Sequence, residues 1–389
     1  MRNKLVFLNI IVIVLILGGC KASQDISVYT QSENTVSESR IWAPDSAEKM
    51  DELVIEYADT FHIDCYENDM YLITIHDTDK YLFVSDADNV PEVADNITVI
   101  AGVQDNIYVA SSSDMDFFNC LDAMDSVCFT STKQENWSIN AVAERLSDGR
   151  LEYVGKYNMP DYERLVDSPC RLAIENTMVY HCPEVKENLE SLGINVLVDY
   201  SSYESTPLGR LEYVKLYGLL CGKYDEAKAF FDESIREIND ISFESDTSVS
   251  VGYYYIASGG HINIRKPGDY VTRMIELAGG HYAFDGSVPE EENALATMNI
   301  QLEVFYEMAS KADILIYNNT TTGDVHSIAD LINKEPVMAS LPAVADGNIW
   351  STSDDMFQRT TAVAEVIGEF NRIINGTADD EMKFFYRLK

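Results

Sequence analysis

Hydrophobic and polar positions change texture several times along these 389 residues. A first apolar run, Leu5 to Leu17, follows Arg2 and Lys4 and is broken only by Asn9 before Leu17-Gly18-Gly19-Cys20. A bilayer-crossing helix needs about 20 apolar residues, so a short run behind basic residues predicts an export signal. Residues 21–40 have no apolar period and are rich in Ser, Gln, Glu, Asn and Thr, the texture of a flexible tether. From Phe61, FHIDCY, YLITI and YLFV are divided by polar ENDM and HDTDK, which predicts an N-terminal β-meander.

After Ile97 the pattern turns to strands alternating with helices. IYVA, VCFT, RLAI, TMVY and NVLVD read as strands; MDFFNCLDAM, INAVAERL and EVKENLESLG read as helices. Ser111-Ser112-Ser113 is expected to cap the first helix. PLGRLEYVKLYGLLCG runs from Pro207 to Gly222 as a helix. Next, Ala227, Phe230, Phe231, Ile235, Ile238 and Ile241 recur at helical spacing with no Pro or Gly between them, which predicts a rigid connector. Alternation then resumes with strand SVSVGYYYIA, helices GDYVTRMIELAGG and IQLEVFYEMASK, strand DILIY and helix DVHSIADLI. A last helix is expected from near Asp355 through FQRTTAVAEVIGEFNRII.

The predicted fold is α/β: two lobes with mainly parallel sheets, joined by one long helix and preceded by the meander. The expected boundaries are a signal at 1–19, a tether at 20–42, a first lobe with the meander at 43–222, a connecting helix at 223–245 and a second lobe at 246–389.

Charge narrows the function. With 28 basic and 65 acidic residues the net charge is −37, and no basic stripe forms, which excludes nucleic acid as a partner. Hydrophobic residues at 46% suffice for large cores. Besides Cys20 there are Cys65, Cys120, Cys128, Cys170, Cys182 and Cys221, with no Cys-x-x-Cys among them. Cys120, Cys128 and Cys221 sit in apolar stretches and read as small core residues, and the disulfide state stays open. Asp77-x-Asp79 and Asp86-x-Asp88 lack the glycine and distal glutamate of a calcium loop and read as solvated turns. No Gly-x-Ser-x-Gly, Walker loop, His-Glu-x-x-His or dinucleotide fingerprint is present, and six scattered histidines form no ligand set. Neither catalysis nor a resident metal or covalent cofactor is expected.

In open α/β lobes ligands sit beyond the carboxyl ends of the strands, so two facing lobes form a cleft. Loops 111–113, 133–137, 180–181 and 203–210 face it from the first lobe; 258–266, 318–322 and 350–357 face it from the second. The candidate ligand contacts are Ser112, Lys133, Trp137, Tyr180, His181, Tyr203, Arg210, His261, Arg265, Trp350 and Phe357. Aromatic area mixed with a few cations suits a large, flat, partly anionic chelate. Some readings stay open: Arg210 binds ligand or pairs with a carboxylate, and Trp350 is pocket or core. His181 and His261 are solvated or face each other as axial ligands of a haem iron.

Four segments resemble a known family: LGINVLVDYSSYESTPLGRLEYVKLYGLLCGKYDEAKAFFDE, GDYVTRMIELAGGHYAF, NIQLEVFYEMASKADILIY and GNIWSTSDDMFQRTTAVAEVI. In this order they resemble the class III periplasmic binding proteins, the substrate-binding proteins of ABC importers for iron-siderophores, haem and cobalamin. The resemblance spans roughly residues 100 to 375, and the meander matches it less well. It implies a monomeric, non-enzymatic binding protein for an iron chelate (siderophore or haem) or cobalamin, serving an ABC permease and its ATPase. The ending at Cys20 resembles a bacterial lipoprotein signal, which implies lipidation of Cys20 and an anchor on the extracytoplasmic face of the membrane. The resemblance also implies permease-docking glutamates, one per lobe, at Glu184 and Glu303. Capture or sensing of a haem or metal chelate without transport is the rival function.

Overall fold

The computed structural model describes residues 41–241, 248–257, 259–285, 297–321, 323–354 and 356–389. The export signal, Cys20, nearly all of the tether and residues 242–245 of the expected connector lie outside the described residues, as do Ser258, Thr322 and Asp355.

The chain first builds the meander: β1 (Lys49–Leu53), β2 (Phe61–Tyr66), β3 (Met70–Ile75), β4 (Asp79–Val84) and β5 (Ile97–Ala101). These lie side by side in that order, antiparallel except for parallel β4 and β5. Alternation divides its side chains between two cores. Ile63, Ile73 and Phe83 pack into the main core, whereas Tyr66, Leu72 and Val84 form a smaller one beneath Trp42 and Val93. Trp42, the last residue assigned to the tether, meets the Tyr66 ring edge-on at 5.1 Å. The turns need left-handed backbone, and Asn68, Asp69, His76 and Asp77 supply it with φ of 50° to 60°.

The first lobe follows: β6 (Ile107–Val109), α1 (Met115–Cys120), β7 (Val127–Thr130), α2 (Asn140–Asp148), β8 (Glu152–Tyr153), the small hairpin β9 (Gly155–Lys156) and β10 (Met159–Pro160), α3 (Tyr162–Asp167), β11 (Leu172–Asn176), α4 (Pro183–Ser191) and β12 (Asn195–Asp199). Its sheet, ordered β12-β11-β6-β7-β8, is parallel throughout. Two local expectations are corrected. The segment TMVY is a 3₁₀ turn, not a strand, begun by the Asn176 side chain accepting from the Met178 amide. Asp114, not a serine, occupies the N-cap of α1, because Ser111 and Ser113 turn their hydroxyls onto the Asp114 carboxylate at 3.1 and 3.0 Å.

Two helices come next, α5 (Pro207–Leu220) and α6 (Tyr224–Asp240). Every residue of α5 except Leu208 is buried. A side chain on Gly218 would meet Ala227 Cβ at 2.5 Å, so glycine is what allows the two helices to cross this closely. The meander is fastened to α5 by carboxylates. Glu212 accepts from the amides of Glu56, Tyr57 and Ala58 and pairs with Lys215 at 2.6 Å; Glu204 accepts from those of Asp59 and Thr60.

The second lobe contains β13 (Ser250–Ile256), β14 (Ile262–Arg265), α7 (Tyr270–Leu277), β15 (His281–Tyr282), β16 (Thr297–Ile300), α8 (Leu302–Ala309), β17 (Ile314–Tyr317), α9 (Ile328–Lys334), α10 (Pro342–Ala345), β18 (Ile349–Thr352), α11 (Val363–Ile374) and β19 (Phe385–Arg387). Its sheet runs β16-β14-β13-β17-β18-β19, with β15 beside β13, and mixes parallel with antiparallel pairs. α5 lies against α7 and α11 of this lobe, and α6 against α11. The architecture is therefore two α/β lobes on a shared helical spine, with the meander added to the first.

Candidate functional site

The lobes meet beside the N-terminus of α5. Thr206 caps this helix, its hydroxyl accepting from the Gly209 amide at 2.9 Å, and Pro207 stands at the first helical position. The first turn then directs Arg210 across to lobe 2, where its guanidinium lies 4.7 Å from the Tyr270 ring centre. A cation at a helix N-terminus opposes the helix dipole. Asp114 and Asp199, both buried beyond the strand ends of lobe 1, offset it. Burial pushes both carboxyls above the usual carboxylate range, and the charge of Asp199 raises Asp114 further. Asp199 accepts from the Ser201 amide and the Tyr217 hydroxyl, both at 2.8 Å.

Lobe 2 answers with its own pair. Asp269 caps α7, accepting from the Val271 amide at 2.9 Å, and faces Arg265 at 3.5 Å. The Arg265 guanidinium is enclosed by the rings of Phe357 (5.0 Å), Tyr270 (5.6 Å) and Tyr253 (5.9 Å). Tyr270 thus lies against two guanidinium groups, one from each lobe, in cation–π contact.

A loop at residues 356–362 closes the same region. Here the expected start of the last helix is corrected: it begins at Val363, because the preceding residues are spent on lobe 1. Gln358 accepts from the amide and hydroxyl of Ser138 at 3.0 and 2.8 Å and donates to the Asn136 carbonyl at 2.8 Å. Buried Asp116 accepts from the Thr361 amide at 2.9 Å and pairs with Arg359 at 3.3 Å. The space left among Arg210, Tyr270, Met356, Phe357 and Thr360 is a cavity of about 20 Å³. That admits about one water, whereas organic ligands occupy roughly 300–1,000 Å³. Arg210, Arg265 and Phe357 therefore come together in a closed polar contact between the lobes.

The other candidates spread out. Trp137 and Trp350 are core residues, 8% and 4% exposed. The Trp137 indole donates to the Thr132 carbonyl at 3.1 Å, and Trp350 packs under the Arg387 guanidinium at 4.8 Å. Lys133 is exposed beside Glu135 at 3.7 Å, and Ser112 is half-buried in the turn before α1. Arg265 is corrected from loop to strand, since it ends β14. His261 is exposed in the β13–β14 turn, and His181 is exposed before α4. Glu184 and Glu303 are both exposed, each the second residue of its helix. Among the described residues no group of three or more His, Cys, Asp or Glu is placed to hold a metal ion.

Tyr180 and Tyr203 stand elsewhere, on an open rim at the strand ends of lobe 1. They are 45% and 46% exposed, and Met178 (46%) lies in the same 3₁₀ turn as Tyr180. The signal in the sequence was weak for the methionines. Met159 (74% exposed) lies apart from that rim, in the β9–β10 hairpin that follows β8 at the other end of the sheet, where a Cβ on Gly155 would meet the Met159 carbonyl at 2.5 Å.

The fold has counterparts among solved structures. The periplasmic haem-binding protein HutB of Vibrio cholerae superimposes with a TM-score of 0.54 at 17% identity, over 67% of this chain and 96% of its own. The periplasmic vitamin B12-binding protein BtuF of the same organism superimposes with a TM-score of 0.50 at 14% identity, over 70% and 96%. The fold is that of a class III periplasmic binding protein. In sequence, the uncharacterized lipoprotein MJ0878 of Methanocaldococcus jannaschii is 22% identical over all of this chain and 96% of its own length. No family profile matches the sequence. Among the described residues no helix is long and apolar enough to cross a membrane.

Proposed function

We propose that this chain is an extracytoplasmic, lipid-anchored solute-binding protein that captures an iron chelate, haem or cobalamin and passes it to an ABC permease and its ATPase. The carrying observation is the uncovered rim of lobe 1, where Met178, Tyr180 and Tyr203 hold apolar area in water. Exposed apolar surface forgoes about 25 cal/mol for every Å² left unburied, so a cluster of it at strand ends marks a binding surface. A ligand with a broad apolar body covers such a rim. The named ligands of HutB and BtuF are of this class. The ending at Cys20 and the lipoprotein name of MJ0878 support the anchor. A body of net charge −37 also stands off an anionic membrane surface.

Visible absorption tests the reading. The purified protein is titrated separately with ferric protoporphyrin IX, cyanocobalamin and a ferric siderophore. A saturable, one-to-one spectral change is expected with one of the three. No saturable change with any of them would overturn the proposal.

A further inference from the structure

The meander does not stop at supporting lobe 1. Its β3–β4 turn reaches the rim, where the His76 ring stacks on Tyr200 with centres 4.7 Å apart and planes at 13°. Tyr200 also packs against Tyr203 at 5.9 Å and Tyr180 at 6.3 Å. The Tyr200 hydroxyl donates to that of Tyr180 at 3.0 Å, which donates to Asp79 at the start of β4 at 3.3 Å. Tyr200 is buried, whereas His76, Tyr180 and Tyr203 are exposed. One fixed ring thus holds three exposed ones in place, two of them from lobe 1 and one from the meander.

We propose that the β3–β4 turn forms a wall of the ligand site, and that His76, Tyr180 and Tyr203 together hold the flat apolar face of a metal tetrapyrrole. This rests on the function proposed above and adds an element to it. Side chains fixed before binding lose little freedom when a planar ligand covers them, so stacking is retained as affinity. The full charge within this cluster is the Asp79 carboxylate. It repels the anionic edge of a tetrapyrrole and so turns that edge away from the meander.

The test uses the full chain in detergent micelles, titrated with ferric protoporphyrin IX and followed by absorbance and tyrosine fluorescence. His76→Asn keeps a residue that tolerates left-handed backbone while removing the stacked ring. Tyr203→Ala removes an exposed ring at the other side of the cluster. Each is expected to weaken binding about tenfold with the thermal midpoint unchanged. Asn68→Gly, in the other hairpin turn of the meander, is expected to bind as wild type does. Wild-type affinity in both His76→Asn and Tyr203→Ala overturns the wall while leaving the solute-binding function standing. Failure of the wild-type protein to bind the porphyrin overturns the wall for its stated ligand, and cyanocobalamin and a ferric siderophore then decide the wider function.

Discussion

Glu175 is the residue whose chemistry is least expected from its surroundings. It lies on β11, the second strand of the lobe-1 sheet, fully buried, and neither carboxylate oxygen has a hydrogen-bond partner among the described residues. The Tyr108 hydroxyl, on adjacent β6, also lacks one there. Burial alone pushes the Glu175 carboxyl up to about 8. A carboxyl raised in the folded state holds its proton there after the unfolded chain has released it. Its contribution to stability is therefore complete below about pH 4.5 and is lost as pH rises through about 8. Each step of one pH unit across that interval removes roughly 1.4 kcal/mol, so the loss by pH 9 is on the order of 5 kcal/mol. Urea unfolding from pH 5 to 9 should show Glu175→Gln losing less stability than wild type over that range; parallel curves would refute the assignment. The sequence hid this residue. RLAI looked like a strand that ended before a charged Glu175, because charge ordinarily marks the surface, and burial at this position comes from elements distant in the chain.

Among the elements, the loop before α11 has the largest mechanical consequence. It joins lobe 2 to lobe 1 through Gln358, Arg359 and Thr361, and its principal acceptor, Asp116, is fully buried in α1. Removing Asp116 leaves the buried Thr361 amide and hydroxyl without their acceptor, at a cost of about 1–3 kcal/mol. Asp116→Ala should therefore lower the denaturant midpoint and, because the lobes lose a shared contact, increase the radius of gyration in small-angle scattering. An unchanged radius with unchanged stability would show that the loop does not hold the lobes together. Element order was legible here because hydrophobic periodicity is a local pattern: period two in the meander, helical spacing in the spine, and strands alternating with helices in the parallel lobe. The loop was not, since TTAVAEV has helical spacing and only contacts more than 200 residues away in sequence draw Gln358 and Thr361 out of the helix. Trp137 is buried and Trp350 takes the core side of its open reading for a related reason: an aromatic residue near a strand end has the same sequence signature whether it faces the cleft or the core.

At the scale of the whole molecule, the two lobes carry matched exposed carboxylates. α4 leads into β12 and α8 into β17, and both strands run parallel within their sheets. Each helix therefore begins at the carboxyl end of its sheet, the end where the lobes meet. Glu184 and Glu303 are both the second residue of these helices and both exposed, an arrangement in which the helix dipole stabilises a negative charge. We propose that they dock onto cations of the permease, one per lobe, so that the importer engages both lobes at once. Neither glutamate belongs to the lobe contact or the aromatic rim, so replacing them leaves the ligand site intact. Exposed carboxylates add little to folding, so stability is expected to hold as well. At a docking surface the same change sets like charge against like, which costs several kcal/mol and removes the orienting field. The Glu184→Arg, Glu303→Arg double variant should therefore bind its chelate in solution with wild-type affinity and yet fail to support uptake in cells carrying the importer. Each single reversal should fall between, because one correctly charged lobe still orients the encounter. Full uptake by the double variant would overturn the docking assignment and favour capture or sensing at the membrane over delivery across it.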